Sequence, residues 1–147
     1  MRIVQAVEQD ADAIAQLIGE IEAHYGGANL AADPDQVRSQ LFRSQPAATV
    51  LLARDNSGEL LGMASYSFLW PAAGADSSLY LKELFVREGA RRQGVATALM
   101  AQVRRAASTA GCSRVEWTAD RDNPSALEFY QALGAEPQHG KAFFRIE

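Results

Sequence analysis

Three strand-like segments follow one another in the middle of the chain with no helix between them, and this order constrains the fold more than any other feature. The segments are TVLLAR (49–54), ELLGMASYSFL (59–69) and LYLKELFV (79–86). The turn DNSG joins the first two, and a turn containing Pro71 and Gly74 leads to the third. We therefore predict an antiparallel meander of three strands.

A helix and a further strand follow the meander. Val95, Leu99 and Val103 recur at helical spacing, and Gly111 stands where a helix often ends. The run RVEWTA (114–119) then predicts a strand. Because a helix precedes it, this strand can lie parallel to the last strand of the meander in a right-handed crossover.

Helices and strands are also predicted at both ends of the chain. RIVQAV (2–7) reads as a first strand, Asp10 can cap a first helix, and Asp33-Pro34 starts a second one. NPSALEFYQALG (123–134) has the start and stop residues of a helix, and AFFRIE (142–147) predicts a closing strand. We expect one α/β (α+β) domain, residues 1–147, with a mixed central sheet flanked by helices in the order β-α-α-β-β-β-α-β-α-β.

Composition excludes several classes of protein. The net charge of the 147 residues is −4, so the overall field does not favour nucleic acid. The first residues lack the apolar core of a leader peptide, and no segment is long enough to span a membrane. One cysteine allows no internal disulfide, and His24 and His139 are too isolated for a metal site. We expect a cytoplasmic protein without metal, membrane or nucleic-acid partners.

The stretch LFVREGARRQGVATALM (84–100) places a polar turn where a strand passes into a helix. The first turn of a helix offers unpaired N–H groups and partial positive charge, which suit a phosphate. Arg91, Arg92 and Gly94 add charge and room for a bulky anion. The stretch matches neither the Walker A loop nor the Rossmann fingerprint, and alone it is equally compatible with a solvated basic turn.

Two motifs make the chain resemble the GNAT superfamily of acyl-CoA-dependent N-acyltransferases. Arg91, Gly94 and Ala96 match its pyrophosphate-binding pattern, Arg/Gln-x-x-Gly-x-Gly/Ala, although glycine is usual at the position of Arg92. The second motif, Asn-x-x-Ala-x-x-Phe-Tyr-x-x-x-Gly-Ala, is matched by Asn123, Ala126, Phe129, Tyr130, Gly134 and Ala135. Within the superfamily, residues 62–86 are similar to the diamine (spermidine/spermine and thialysine) acetyltransferase branch.

The resemblance implies a site for acetyl-CoA as cosubstrate, with a small amine as the second substrate. The backbone of residues 84–86 would pair with the pantetheine arm as an added strand, and the turn would bind the pyrophosphate. Asn123 is either a pantetheine contact or only a helix cap. The implied cofactor-binding residues are Leu84, Phe85, Val86, Arg91, Arg92, Gln93, Gly94, Val95, Ala96, Thr97, Asn123, Ser125, Phe129 and Tyr130.

Tyr130 and Glu83 are the candidate catalytic residues. Tyr130 matches the tyrosine that the family uses as general acid at the cofactor sulfur; its alternative is a packing role on an amphipathic helix. By strand alternation Glu83 shares a face with Leu79, Leu81 and Phe85, so burial would raise its pKa and make it a base. The alternative is an exposed or salt-bridged glutamate.

The acceptor is predicted less sharply. Glu20, Glu22, His24 and Tyr25 end the first helix and border the acceptor site in the family fold, or they form a solvated helix end. Tyr66, Phe68 and Trp70 alternate along a strand and could line the pocket. Lys82 stands where polyamine acetyltransferases have an acidic residue, which favours a diamine or amino-acid-like amine.

Three further interpretations remain open. The chain could be a non-catalytic acyl-CoA-binding regulatory module, or it could acetylate a protein or peptide amine. Analogy with the diamine branch and the apolar closing segment AFFRI predict a homodimer.

Overall fold

The computed structural model describes all residues, 1–147. The chain forms two compact units, residues 1–117 and 118–147. In chain order the elements are β1 Arg2–Gln5, α1 Ala11–His24, α2 Pro34–Leu41, β2 Thr49–Arg54, β3 Leu60–Leu69, β4 Ser78–Val86, α3 Val95–Thr109, β5 Arg114–Glu116 and α4 Pro124–Ala132. This order agrees with the expected one up to α4, and the expectation of a single domain stays a prediction.

One sheet runs through the first unit in the order β1-β2-β3-β4-β5. β1 to β4 are antiparallel neighbours, and β5 lies parallel to β4 after the crossover through α3. The meander and the parallel pairing of β5 with β4 are thus confirmed. β5 pairs only with Ser78–Tyr80, so no strand lies beside the second half of β4 on that side.

A bulge in β4 overturns the predicted alternation along this strand. Leu81 pairs with Tyr66 of β3, but Glu83 pairs with Ser65, which leaves Lys82 as an extra residue. Cross-strand partners lie on the same face of a sheet, and Tyr66 and Ser65 point to opposite faces. Strict alternation had predicted that Glu83 and Leu81 share a face, and this prediction is wrong. The inserted residue Lys82 reverses the alternation after it, so that the two side chains lie on opposite faces.

Each face of the sheet has its own helical layer. On one face Val50, Leu52, Met63 and Phe85 form a buried cluster with apolar side chains of α1 and α2. The α1 members include Ile14, Leu17 and Ile21, whose spacing places them on one face of the helix. α3 contacts the sheet along β1 to β5 and buries Leu99, Met100 and Val103.

The polar residues predicted to cap helices or close turns do so in the structure, with one exception. The carboxylate of Asp33 accepts from the N–H of Asp35 at 2.9 Å and caps α2. The carboxylate of Asp55 accepts from Ser57 and Glu59 and closes the turn before β3. Asp10 precedes α1 but does not cap it, because its carboxylate binds the N–H of Val7 and the guanidinium of Arg54.

The closing strand predicted over residues 142–147 does not form. These residues have no regular secondary structure, and Phe143, Phe144 and Ile146 are 67%, 88% and 98% exposed. The segment RVEWTA likewise forms a strand only over its first three residues, β5. A strand needs a neighbour for its backbone N–H and C=O groups, and none of the five strands of the sheet pairs with residues 142–147. The sequence pattern indicates that a segment can form a strand, but it does not show which strand it would pair with.

Candidate active site

Glu83 lies on the α1 face of the sheet, two residues before the buried Phe85. Its side chain is half-buried, and this desolvation raises the pKa of its carboxyl group. The nearby carboxylate of Glu22 also raises this pKa, whereas a backbone hydrogen bond at Leu84 and the charge of Lys82 oppose the shift. A carboxylate whose pKa lies above its ordinary value is a better proton acceptor than a solvated one.

Glu20 and Arg87 join the end of α1 to the residue that follows β4. The guanidinium donates to both carboxylate oxygens of Glu20, at 2.9 and 2.8 Å, and also to the carbonyl of Leu60 at 2.9 Å. Both side chains are only about a quarter exposed, at 27% and 28%. Glu20 is therefore engaged in a structural ion pair, and of the carboxylates at the end of α1 it is Glu22 that lies near Glu83.

The turn before α3 has the open backbone that an anion site needs. Gly94 has φ of 80° and precedes the first residue of α3, and a Cβ at this position would meet nothing within 4 Å. Arg92 also has a positive φ, 58°, in the region that glycine occupies most readily. This conformation is a physical reason for the glycine that the family usually has at the position of Arg92.

The side chains of the turn differ in their surroundings. Arg91 donates from Nε to the carbonyl of Val86 at 3.1 Å, and its Nη2 lies 3.4 Å from Nδ1 of His24. Gln93 donates from Nε2 to the carbonyl of Gly89. Val95 is 2% exposed and packs in the core, so that only its backbone can face a ligand. Thr97 is exposed, and Ala96 is half-buried.

The residues Leu84, Phe85 and Val86 pair with β3 on one side and have no strand on the other. Phe85 is buried in the α1 cluster, so it too can offer a ligand only its backbone. The carbonyl of Val86 already accepts from Arg91. These three residues and the turn at Gly94 are joined by the short segment 87–93.

The remaining predicted residues belong to the second unit. Asn123 caps α4, since its Oδ1 accepts from the N–H of Ala126 at 3.2 Å and from the hydroxyl of Ser125 at 3.1 Å. The rings of Phe129 and Tyr130 lie 5.4 Å apart on α4, and both side chains are half-buried. The cap explains Asn123 by itself, and the part of Tyr130 in catalysis stays a prediction.

The aromatic residues of β3 lie away from Glu83. Tyr66 and Phe68 are on the face that α3 covers, with ring centroids 5.7 Å apart, and they line a cleft of about 370 Å³ with Arg105 and Ala106. Trp70 donates its indole N–H to the carbonyl of Ala75 in the turn before β4. Because Glu83 lies on the opposite face, Tyr66 and Phe68 do not line a pocket beside it.

Two further features bear on the kind of site. No group of three or more histidine, cysteine, aspartate or glutamate side chains is arranged to hold a metal ion. None of the helices combines the length and the apolar character that crossing a membrane requires.

A sequence profile of the acetyltransferase (GNAT) family matches residues 14–135, which include β4, the turn at Gly94 and α4. The chain belongs to this family. The fold agrees: the acetyltransferase superposes with a TM-score of 0.86 on an integron cassette protein from the mobile metagenome of V. cholerae, which is 29% identical over 99% of this chain and 91% of that one.

Two of the relatives carry names that specify ornithine or thialysine. The acetyltransferase is 34% identical over 67 residues to an L-ornithine N5-acetyltransferase of Arabidopsis thaliana, a match that covers 46% of this chain and 29% of the relative. It is 26% identical to a thialysine N-epsilon-acetyltransferase of Mus musculus, over 99% of this chain and 92% of the relative. The match to the Arabidopsis enzyme thus spans less than a third of that relative's length.

Sequence reasoning missed one residue of this region and did not predict the partners of two others. Arg87 was not singled out, although it holds Glu20, and Glu20 and His24 were assigned either to the acceptor border or to a solvated helix end. Their partners, Arg87 and Arg91, lie 67 residues further along the chain. The only signal in the sequence is a shared spacing: positions 20 and 24 are four residues apart, and so are positions 87 and 91. This spacing becomes informative only when the two segments are known to be adjacent.

Proposed function

We propose that this acetyltransferase moves an acetyl group from acetyl-CoA to the side-chain primary amine of a small, amino-acid-like molecule. The observation that carries the proposal is the arrangement of β4. This one strand bears a half-buried carboxylate with a raised pKa, Glu83, and then an edge without a strand neighbour at Leu84–Val86. It leads directly into the turn at Gly94.

The turn suits the pyrophosphate of the cosubstrate. Gly94 leaves open space above the start of α3, where unpaired backbone N–H groups and the positive end of the helix favour an anion. The exposed side chains of Arg91 and Arg92 add positive charge. The residues Leu84–Val86 would pair with the amides of the pantetheine arm, and an N–H there would polarise the thioester carbonyl.

The proposed transfer uses two side chains. Glu83 accepts a proton from the ammonium form of the acceptor, directly or through water, and the free amine attacks the thioester carbon. The C–N bond forms, the nitrogen releases its second proton to water, and the C–S bond breaks as the tetrahedral intermediate collapses. Tyr130 then donates its proton to the departing thiolate, and bulk water restores the phenol. Tyr130 enters this scheme through the family motif alone.

The acceptor class follows from charge near Glu83 and from the relatives. Glu22 and Glu83 together favour a cationic amine. Lys82 is exposed next to Glu83 and would repel a chain with several positive charges, yet it could attract a carboxylate. Ornithine and thialysine, which the two relatives' names specify, are amino acids with a side-chain primary amine. We therefore propose such a molecule, or a short diamine, in preference to a long polyamine.

We also propose a homodimer in the cytoplasm. Phe143, Phe144 and Ile146 are exposed in a segment without secondary structure. Burying these side chains against a second copy would stabilise the segment. Sedimentation at micromolar concentration should give twice the chain mass; a species of 15.9 kDa would refute the dimer and leave the proposed chemistry standing.

The function is tested with a panel of amines, acetyl-CoA and a measurement of free thiol release. The panel holds L-ornithine, lysine analogues, short diamines, spermine and a lysine peptide. We expect the highest kcat/KM for the amino-acid-like amines, and spermine as the best substrate would contradict the acceptor class. Acetyl-CoA binding without thiol release for any amine would favour the binding module, and release only with the peptide would favour a protein acceptor.

A further inference from the structure

Two side chains of α1 reach two arginines beyond β4 with the same spacing. Glu20 and His24 are four residues apart and lie on one face of the helix, and Arg87 and Arg91 are also four residues apart. Glu20 binds Arg87 through two hydrogen bonds of 2.9 and 2.8 Å. Nδ1 of His24 lies 3.4 Å from Nη2 of Arg91. The end of α1 is thus linked twice to the segment that leads from β4 to the turn at Gly94.

The two arginines differ in how many N–H donors they leave available for a ligand. Arg87 is half-buried and uses Nε, Nη1 and Nη2 within the protein, so it serves the fold. Arg91 is exposed and uses Nε on the carbonyl of Val86 and Nη2 on His24. A guanidinium has five N–H donors, so three donors of Arg91, two of them on Nη1, remain for a ligand. Val86 and His24 thus contact the Arg91 guanidinium at two of its three nitrogens.

The proton position on His24 follows from its partner. A guanidinium only donates, so His24 takes part in this contact as an acceptor through the Nδ1 lone pair. The ring is further held by the edges of two aromatic rings, Phe85 at 6.1 Å and Tyr25 at 5.2 Å between centroids. His24 is therefore an oriented acceptor for Arg91.

We propose that His24 is a positioning residue for acetyl-CoA, which acts by holding the Arg91 guanidinium in the orientation that binds the pyrophosphate. The inference rests on the proposed cofactor site at residues 91–97. An arginine held in place loses less side-chain entropy when it binds a phosphate, and this pre-organisation increases affinity. His24 itself touches no part of the cosubstrate in this scheme, in contrast to its assignment from sequence as a residue at the acceptor border.

The test is a double-mutant cycle on acetyl-CoA affinity, measured by calorimetry. We expect His24→Ala to weaken binding by about 3- to 10-fold, the range of one hydrogen bond, and His24→Asn to restore most of it, since its Oδ1 is also an acceptor. In the Arg91→Ala background, His24→Ala should have no further effect. Both residues are exposed, so the melting temperature should hardly change in any variant.

Each outcome decides between distinct accounts. Additive effects of the two alanine substitutions would show that His24 does not act through Arg91, and the inference would be wrong. Equal losses for His24→Asn and His24→Ala would also refute it, because the acceptor would not matter. If the wild-type protein binds no acetyl-CoA at all, the proposed function fails together with this inference, whereas binding with an additive cycle removes the inference alone.

Discussion

Leu81 and Glu83 lie on opposite faces of the sheet although only one residue separates them. The partner of Leu81 is Tyr66 on the α3 face, and the partner of Glu83 is Ser65 on the α1 face. Without the bulge at Lys82, Glu83 would point toward α3 and away from Glu22. The bulge therefore brings the carboxylate to the end of α1, where its partial burial and the charge of Glu22 raise its pKa.

Replacing Glu83 by glutamine should remove the base without removing its shape. We expect turnover to fall by about 100- to 10,000-fold, the usual effect of losing a positioned base, with acetyl-CoA affinity unchanged. The acid limb of the pH profile of kcat/KM should also disappear, since it reports ionisation of the base in the free enzyme. Steady-state rates across pH check this, and near-full turnover with an unchanged limb would assign Glu83 a structural role.

The neighbours of Glu83 supply matched controls with opposite signs. Glu22→Gln removes a like charge that raises the pKa of Glu83, so the acid limb should move to lower pH. Lys82→Met removes an opposite charge that lowers this pKa, so the limb should move to higher pH. Added salt should reduce both displacements. Displacements of the same sign would mean that the limb belongs to another group.

The raised pKa of Glu83 also predicts a pH-dependent effect on stability. In the folded protein the carboxyl group holds its proton above its ordinary pKa of 4.5. Below that pH the group is protonated in both states and does not change the free energy of unfolding. As the pH rises through the folded pKa, ionisation of Glu83 lowers the free energy of unfolding. Glu83→Gln mimics the protonated form, so its gain in melting temperature over wild type should grow from pH 4 to pH 8. A gain that is independent of pH would contradict the assigned shift.

Two substitutions at Gly94 distinguish the effect of backbone strain from the effect of a side chain that fills the proposed pyrophosphate site. Gly94→Ala and Gly94→Leu impose the same positive φ on an L-residue, which costs about 1–2 kcal/mol, and neither Cβ meets the protein. Only leucine extends into the space where the pyrophosphate is proposed to bind. We expect similar losses of stability and a far larger loss of acetyl-CoA affinity for leucine. Equal affinities by calorimetry would remove the cofactor from this turn.

Tyr130→Phe tests the general acid with the smallest possible change. Losing only a hydroxyl should preserve packing and cosubstrate binding, while turnover should fall by about 100- to 10,000-fold. The KM for the acceptor should change little, because the hydroxyl acts on the leaving group. Near-full turnover, with chemistry shown to be rate-limiting, would make Tyr130 a packing residue.

The parts of the structure that depend on nearby residues could be predicted from the sequence. Asp33 caps α2, Asn123 caps α4, and DNSG closes its turn because each uses a neighbour within a few residues. The bulge at Lys82 could not be predicted, since it is defined by the register against β3. The strand expected at 142–147 failed for a related reason, because propensity does not provide a partner.

In the candidate site, too, the features that could be predicted are local in the sequence, and those that could not depend on distant residues. Gly94 and Glu83 were found because a motif and a polar residue in an apolar strand are visible in the sequence. The contacts of Arg87 and Arg91 with α1 join residues 67 positions apart, and no local pattern marks them. Sequence thus identified the residues proposed for chemistry, and it did not predict the contacts that link α1 to the segment after β4.

The most direct test of the central claim is a mass spectrum of the product formed by the wild-type protein, acetyl-CoA and L-ornithine. We predict ornithine that is heavier by one acetyl group, with the group on the side-chain amine and one free CoA released per product. The Glu83→Gln protein should form this product far more slowly. The absence of any acetylated amine across the panel, with acetyl-CoA binding demonstrated in the same sample, would contradict the account.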